Sequence, residues 1–437
     1  MPGFRLLLTL GALLLTAATG VAQEKKSAAA GEASDNSLDV QSFDRVWSLI
    51  KERHWDPEVV GESWTRAREE LRPQVVAGKD RKAARLVIKK LIDRLEQSHF
   101  AVIPATAYKA MDEGKLHAKG HTGLVIRERD GKLIVAQIEP DSAAAASEIR
   151  PGWALTGVGK RNAEDLLKVA GEATKTGPMS RATLVGLLSK RALGGDVGRA
   201  AQLKLLDLDG KEREVELKLT KTPGTTVRAG NMPTIHVVVD SRELPGKVGY
   251  FGFSAFFDPT NLVQEFDKRL KQSSGGLVID LRGNVGGLMI LATALGSRLT
   301  GKPAKLGVVK MKNATFKMAL NPWRNPYDKP VAVLIDECSI SCAEILSGGL
   351  KDLKLARVFG TTTAGLALPS TFERLPNGDG VQYAFADYTS ESGKTLEGNG
   401  VTPDEEIALT TEAFKQQSDP VLARALEWLD SETSESK

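Results

Sequence analysis

At 437 residues, with 41% apolar and 26% charged composition, the chain can bury more than one core, and two or three domains are expected. A net charge of +4, with no long basic run interleaved with aromatics, sets nucleic acid aside as a favoured partner. Five scattered histidines and only two cysteines argue against a structural metal site, and no cofactor is expected.

The first 22 residues read as an address. Arg5 supplies the positive start, Leu6 to Leu15 the apolar run, and Gly20-Val21-Ala22 a small-residue cleavage site, so the mature chain begins at about Gln23. The other reading, an uncleaved anchor, is opposed by the shortness of the run. No cysteine follows it, which argues against a lipoprotein. The protein is therefore expected to be exported, periplasmic or secreted, with no stable membrane span after cleavage.

Residues 23–37 are small and polar and read as a flexible linker. From 38 to 112 the pattern is helical. Phe43, Val46, Trp47 and Ile50, then Trp64, Ala67 and Leu71, recur at helical spacing, and AARLVIKKLIDRL from Ala83 marks a third helix. His54 and His99 lie in this region and are read as structural.

From Gly120 the pattern changes to strands. HTGLVIRERDGKLIVAQIEPDSAAAASEIRPGWALTGVGK alternates in polarity, with a turn at Asp130-Gly131, an alanine-rich short helix and a break at Pro151-Gly152. The span 118–222 resembles a PDZ domain. The resemblance implies that Gly123 and Leu124 lie in the loop whose backbone N–H groups capture a peptide carboxylate, the peptide adding as an extra strand. Two features depart from it: Trp153 stands where an acidic residue is usual, and residues 171–200 form an insertion, either a lid or a loop with a helix. His117 and His121 read as surface residues.

Lys221 to Asn231, rich in Gly, Thr and Pro, reads as a linker into a core spanning 230–432. His236 falls on the first core strand. KVGYFGFSAFF then reads as a strand and turn, and Pro259 to Leu270 as a helix. GLVIDLRGNVGG, Gly276 to Gly287, is a buried strand ending in a glycine turn before an apolar helix. Val331 to Ile335 is a second such strand, followed by the polar turn Asp336 to Ser339 and a helix with Glu344 in its first turn. Ser341 stands at that strand-to-helix junction. A serine there either caps the helix or points out from the strand tip beside free backbone N–H groups, as a nucleophile does. A final amphipathic helix and a disordered tail, 433–437, close the chain.

Four blocks, IDLRGNVGG, SISCAEIL, GTTTAGLALPS and LEGNGVTPD, occur in an order that resembles the carboxyl-terminal processing (tail-specific) serine proteases and their tricorn-core relatives. The resemblance implies a multidomain α/β fold. Its parts are a ClpP/crotonase-like α/β protease core, an inserted PDZ-like β domain and an N-terminal helical domain. It makes Ser341 the nucleophile, with Gly287 and the Cys342 N–H as the oxyanion hole. The processing proteases carry a lysine base where this chain has Leu366. Tricorn-type relatives use a histidine and a glutamate, and Glu397 matches the glutamate. Glu397 is accordingly the first base candidate, and Asp352 matches an acidic position of the family. Cys338 and Cys342 flank the serine, either bridged or as small buried residues. The expected activity is that of a serine endopeptidase acting on proteins or peptides with accessible carboxyl termini. The alternative is an inactive homologue that binds peptides or acts as a scaffold, because Leu366 replaces the base.

Overall fold

The computed structural model describes residues 36–435, apart from 116–117, 175–178, 230–231, 233, 408 and 417. The expected signal segment, most of the linker and His117 therefore lie outside the described residues. Among the described residues no helix is long and apolar enough to cross a membrane.

The first body opens with α1 (Asn36–Arg53), α2 (Glu62–Val76) and α3 (Arg81–Asp93). Asp80 starts α3 by accepting the Ala83 N–H at 2.7 Å. Trp47 and Trp64 tie α1 to α2 by exchanging indole N–H bonds to each other's carbonyls, at 3.0 and 3.1 Å. A short strand β1 (Ala101–Ile103) and α4 (Ala105–Asp112) follow.

The second body is an antiparallel sheet of β2 (Leu124–Arg129), β3 (Lys132–Ile138), β4 (Ala154–Val158), β5 (Ala200–Leu206) and β6 (Glu212–Lys218), in that order, with α5 (Ala163–Thr174) and α6 (Arg181–Ala192). The described part of 171–200 holds the end of α5 and all of α6. Helix α6, capped by Ser180, packs against the edge strand β2. The linker 221–231 is less open than its composition implies, since Thr225–Val227 pairs antiparallel with Ile235–Val237.

The third body is a six-stranded sheet. Its strands are β7 (Val239–Leu244), β8 (Val248–Phe253), β9 (Leu277–Asp280), β12 (Val331–Ile335), β13 (Arg357–Gly360) and β17 (Glu405–Glu406), in that order across the sheet. Only β7 runs antiparallel to its neighbour. Between these come α7 (Pro259–Gln272), α8 (Met289–Ser297), β10 (Ala304–Met311), β11 (Thr315–Leu320), α9 (Cys342–Asp352), β14 (Ser370–Arg374), β15 (Gly380–Ala384) and β16 (Ala386–Ser390). Helix α10 (Pro420–Glu435) closes the chain and continues into the segment expected to be disordered.

The central strands are apolar on both faces because both are covered. Ile279, Val333 and Ile335 point to the side holding α7, α8 and α9. Val278, Ala332 and Leu334 point to the other, against Val421, Ala425 and Leu429 of α10.

The bodies do not separate at the expected boundaries. Strand β1 pairs with β15, so Leu368, Leu375, Val381 and Tyr383 of the third body complete the apolar cluster of the first. Ile340 and Leu366, both buried, join the cluster of the second.

Candidate active site

Strand β12 ends inside the molecule, and the turn after it is held by side chains. Asp336 accepts the Cys338 N–H at 3.0 Å, and Ser339 donates its hydroxyl to the Leu281 carbonyl at 2.7 Å, so Ser339 braces two strand tips. Ser341 then adopts φ 57° and ψ −114°, a sparsely populated region that costs an L-residue about 1–3 kcal/mol. It is half-buried, while Cys342 to Leu350 behind it are buried throughout.

The glycine turn after β9 lies directly against this serine. Gly286 holds φ 82°, and a Cβ there would stand 2.7 Å from the Ser341 Cβ and 3.1 Å from the Cys342 nitrogen. Asn284 sets the turn by donating to the Phe253 carbonyl, accepting the Gly286 N–H on its side chain and accepting the Ile340 N–H on its carbonyl. Gly286 and Phe256 use their remaining groups on each other and on Leu288. The N–H groups of Gly287 and Cys342 are left with no acceptor among the described residues. Two amides beside the half-buried Ser341 can bind a developing oxyanion.

Leu366 lies in the loop beside Ser341, but its side chain packs into the second body. Its backbone is what reaches the site: the carbonyl accepts the Ser341 N–H at 3.0 Å. Ala367, the next residue, donates its N–H to Glu397 Oε2 at 3.0 Å. Glu397 also takes the Ser98 N–H on Oε1 and the Ser98 hydroxyl on Oε2, each at 2.9 Å, and the same hydroxyl lies 2.7 Å from His99 Nδ1. Since that hydroxyl has one proton and gives it to Glu397, the imidazole donates from Nδ1 and leaves Nε2 unprotonated. His99 itself sits at φ 62°. Burial pulls its pKa down to about 4, so it is neutral near neutrality, and burial pushes the Glu397 carboxyl upward.

Glu344 fills the space between the serine and the loop. It accepts the Ser341 N–H (3.0 Å) and the Leu366 N–H (2.9 Å) on Oε2, and the Gly365 N–H (2.8 Å) and the Thr363 hydroxyl (2.7 Å) on Oε1. Burial outweighs these four donors and pushes its carboxyl up to about 7.

The structure thus brings Ser341, Gly287, Cys342 and Glu397 to one region, with Glu397 acting on Ser98 instead of on the serine itself. Asp352 is not part of it. It lies ten residues along α9 from Cys342, roughly 15 Å by helical rise, and holds the Ser392 N–H at 3.0 Å. Gly123 and Leu124 begin β2, where the Leu124 amide is taken by the Thr122 hydroxyl at 3.3 Å. The cysteines are free thiols facing different partners, Cys342 the Gly287 carbonyl and Cys338 the Thr183 carbonyl. His54 is bonded to Gln97 and stacked on Trp55, and His236 is bonded to Thr226 and Pro223. Ser98 and His99 are what motif reading missed, because only the fold brings the end of the first body to Glu397.

Residues 247–407 match the family model described as peptidase family S41. Over those residues the core of this chain is similar to peptidase family S41. The chain is 22% identical over 318 residues to the carboxy-terminal processing protease CtpA of Bacillus subtilis, covering 72% of this chain and 62% of the relative. It is 24% identical over 370 residues to carboxyl-terminal-processing peptidase 3, chloroplastic, of Arabidopsis thaliana, covering 82% and 67%. The chain spans 62% and 57% of the first two curated relatives it matches. The fold is also that of the photosystem II D1 C-terminal processing protease (TM-score 0.54, 21% identity, 84% of this chain and 92% of that one) and of mature CPAF (0.55, 18%, 90% and 97%). These likenesses give the chain a multidomain α/β fold.

Proposed function

We propose that the chain is a serine endopeptidase in which Ser341 attacks a peptide carbonyl, the N–H groups of Gly287 and Cys342 hold the oxyanion, and His99 takes the proton. The observation that carries this is the pair of amides without an acceptor beside a serine held at positive φ at a strand-to-helix junction. In the first step the serine oxygen bonds to the carbonyl carbon, its proton passes to His99 Nε2, and the C–N bond breaks as His99 gives that proton to the departing amine. Water then cleaves the ester, His99 taking a proton from the water and giving it to the departing Ser341 oxygen as the acid leaves. Glu397 acts through Ser98 to hold the imidazole in the tautomer that leaves Nε2 open. This answers the loss of the lysine at Leu366, because a base enters from the first body instead.

The second body, whose sheet ends at β2, is suited to receive an extended peptide end, as the resemblance to a PDZ domain implies. Export of the mature chain completes the reading. The test is hydrolysis of casein or an unstructured tailed protein by the purified chain beside Ser341→Ala, His99→Ala and Glu397→Gln. Loss of activity in Ser341→Ala and His99→Ala supports the reading. Activity indifferent to both, or a wild type no better than Ser341→Ala, overturns it and leaves a peptide-binding scaffold.

A further inference from the structure

We infer that Glu344 is a positioning residue that sets Ser341 in register with the rest of the site, a role that rests on the serine-nucleophile reading above. Its carboxylate is wholly buried and makes no ion pair among the described residues. Each oxygen takes two donors, which is the full capacity of a carboxylate. One donor belongs to Ser341 itself, and the other three belong to Thr363, Gly365 and Leu366 of a single loop.

That loop also faces the other half of the site. Leu366 and Ala367 send consecutive N–H groups to two different buried carboxylates, Glu344 and Glu397. The first carboxylate is fixed to the nucleophile and the second to Ser98 and, through it, to His99. The offset between serine and imidazole is therefore measured by two peptide units of backbone. Thr363 closes the frame by accepting the Val401 N–H at 2.7 Å, four residues from Glu397.

The ionised carboxylate takes all four donors at once. Protonation would force the Thr363 hydroxyl to turn from donor to acceptor, and a glutamine would turn its NH2 toward two of the donors. The groups facing the carboxylate are the Thr363 hydroxyl and the three amides, so its own titration governs the frame. Burial places that titration at about 7.

The experiment is the rate at which a fluorophosphonate labels Ser341 in the whole mature chain, followed from pH 5 to 9 beside peptide hydrolysis. The wild-type rate is expected to fall on the acid side as Glu344 protonates. In Glu344→Gln the rate at pH 8 is expected to drop about a hundredfold, with the acid-side fall gone and KM within about twofold of wild type. Thr363→Val serves should Glu344→Gln not fold. It removes one donor, so its rate is expected to drop about tenfold and its acid limb to move upward. Variants that label at the wild-type rate with the wild-type pH profile overturn the inference and leave the serine reading intact. A wild type that labels no faster than Ser341→Ala overturns both.

Discussion

The guanidinium of Arg127 meets the carboxylate of Asp336 at 2.5 and 2.8 Å, joining the edge strand of the second body to the turn that precedes Ser341. Both side chains are less than a tenth exposed. The other Asp336 oxygen takes the N–H groups of Gly283 and Cys338, so one residue grips both strand tips of the site. Removing the cation strands a buried carboxylate. Arg127→Met is expected to lower unfolding free energy by about 3–5 kcal/mol, read from urea denaturation, while Arg127→Met/Asp336→Asn recovers part of it.

Gly286 has no room for a side chain. Gly286→Ala would put a methyl 2.7 Å from the Ser341 Cβ at a positive φ, costing about 1–3 kcal/mol of stability. Hydrolysis is expected to fall further than stability does, because the displaced atoms include the serine. Comparing kcat at a temperature where the variant stays folded separates the two.

Leu366→Lys is expected not to install a base. The side chain at 366 is buried in the apolar cluster of the second body, so a lysine there would face hydrocarbon. The expected outcome is several kcal/mol of lost stability with no gain in activity, checked by thermal melting and peptide hydrolysis.

Both thiols are buried and pushed up to about 12 by that burial. A disulfide reagent at pH 8 is expected to leave Cys338 and Cys342 untouched in the folded protein and to titrate both in guanidinium.

Stability against pH carries two opposed slopes. Glu344 is raised from 4.5 to about 7 on folding, so its contribution is present below 4.5 and is lost as pH rises through 7. His99 is lowered from 6.5 to about 4, so its contribution is present above 6.5 and is lost as pH falls toward 4. Between pH 4.5 and 6.5 they offset each other. In Glu344→Gln the urea midpoint is expected to climb with pH across that window, where the wild type is flatter.

The parallel sheet was legible because its strands are unbroken apolar runs such as Val331 to Ile335, which only a sheet covered on both faces tolerates. Ser341 and the glycine turn were legible for a related reason: strand tips announce themselves by a sudden change from aliphatic to small and polar residues. The proposed base was not. His99 follows Ser98 in a short turn whose partners are about 300 residues further on, and no local periodicity encodes that meeting. The domain boundaries blurred for the same cause, since β1 finds its partner in β15 and Leu366 finds its neighbours in the second body. Asp352 was a candidate by resemblance alone, and ten residues along the helix is too far to reach back to Ser341.

The contacts of Arg127, Arg129, Ile340 and Leu366 also bear on how the chain can be cut. A fragment lacking residues 118–222 would leave Asp336 and Glu337 without their cations and would turn Ile340 and Leu366 toward water. The lobe that carries Ser341 is thus not a free-standing module, and its nearest lodger is part of its foundation.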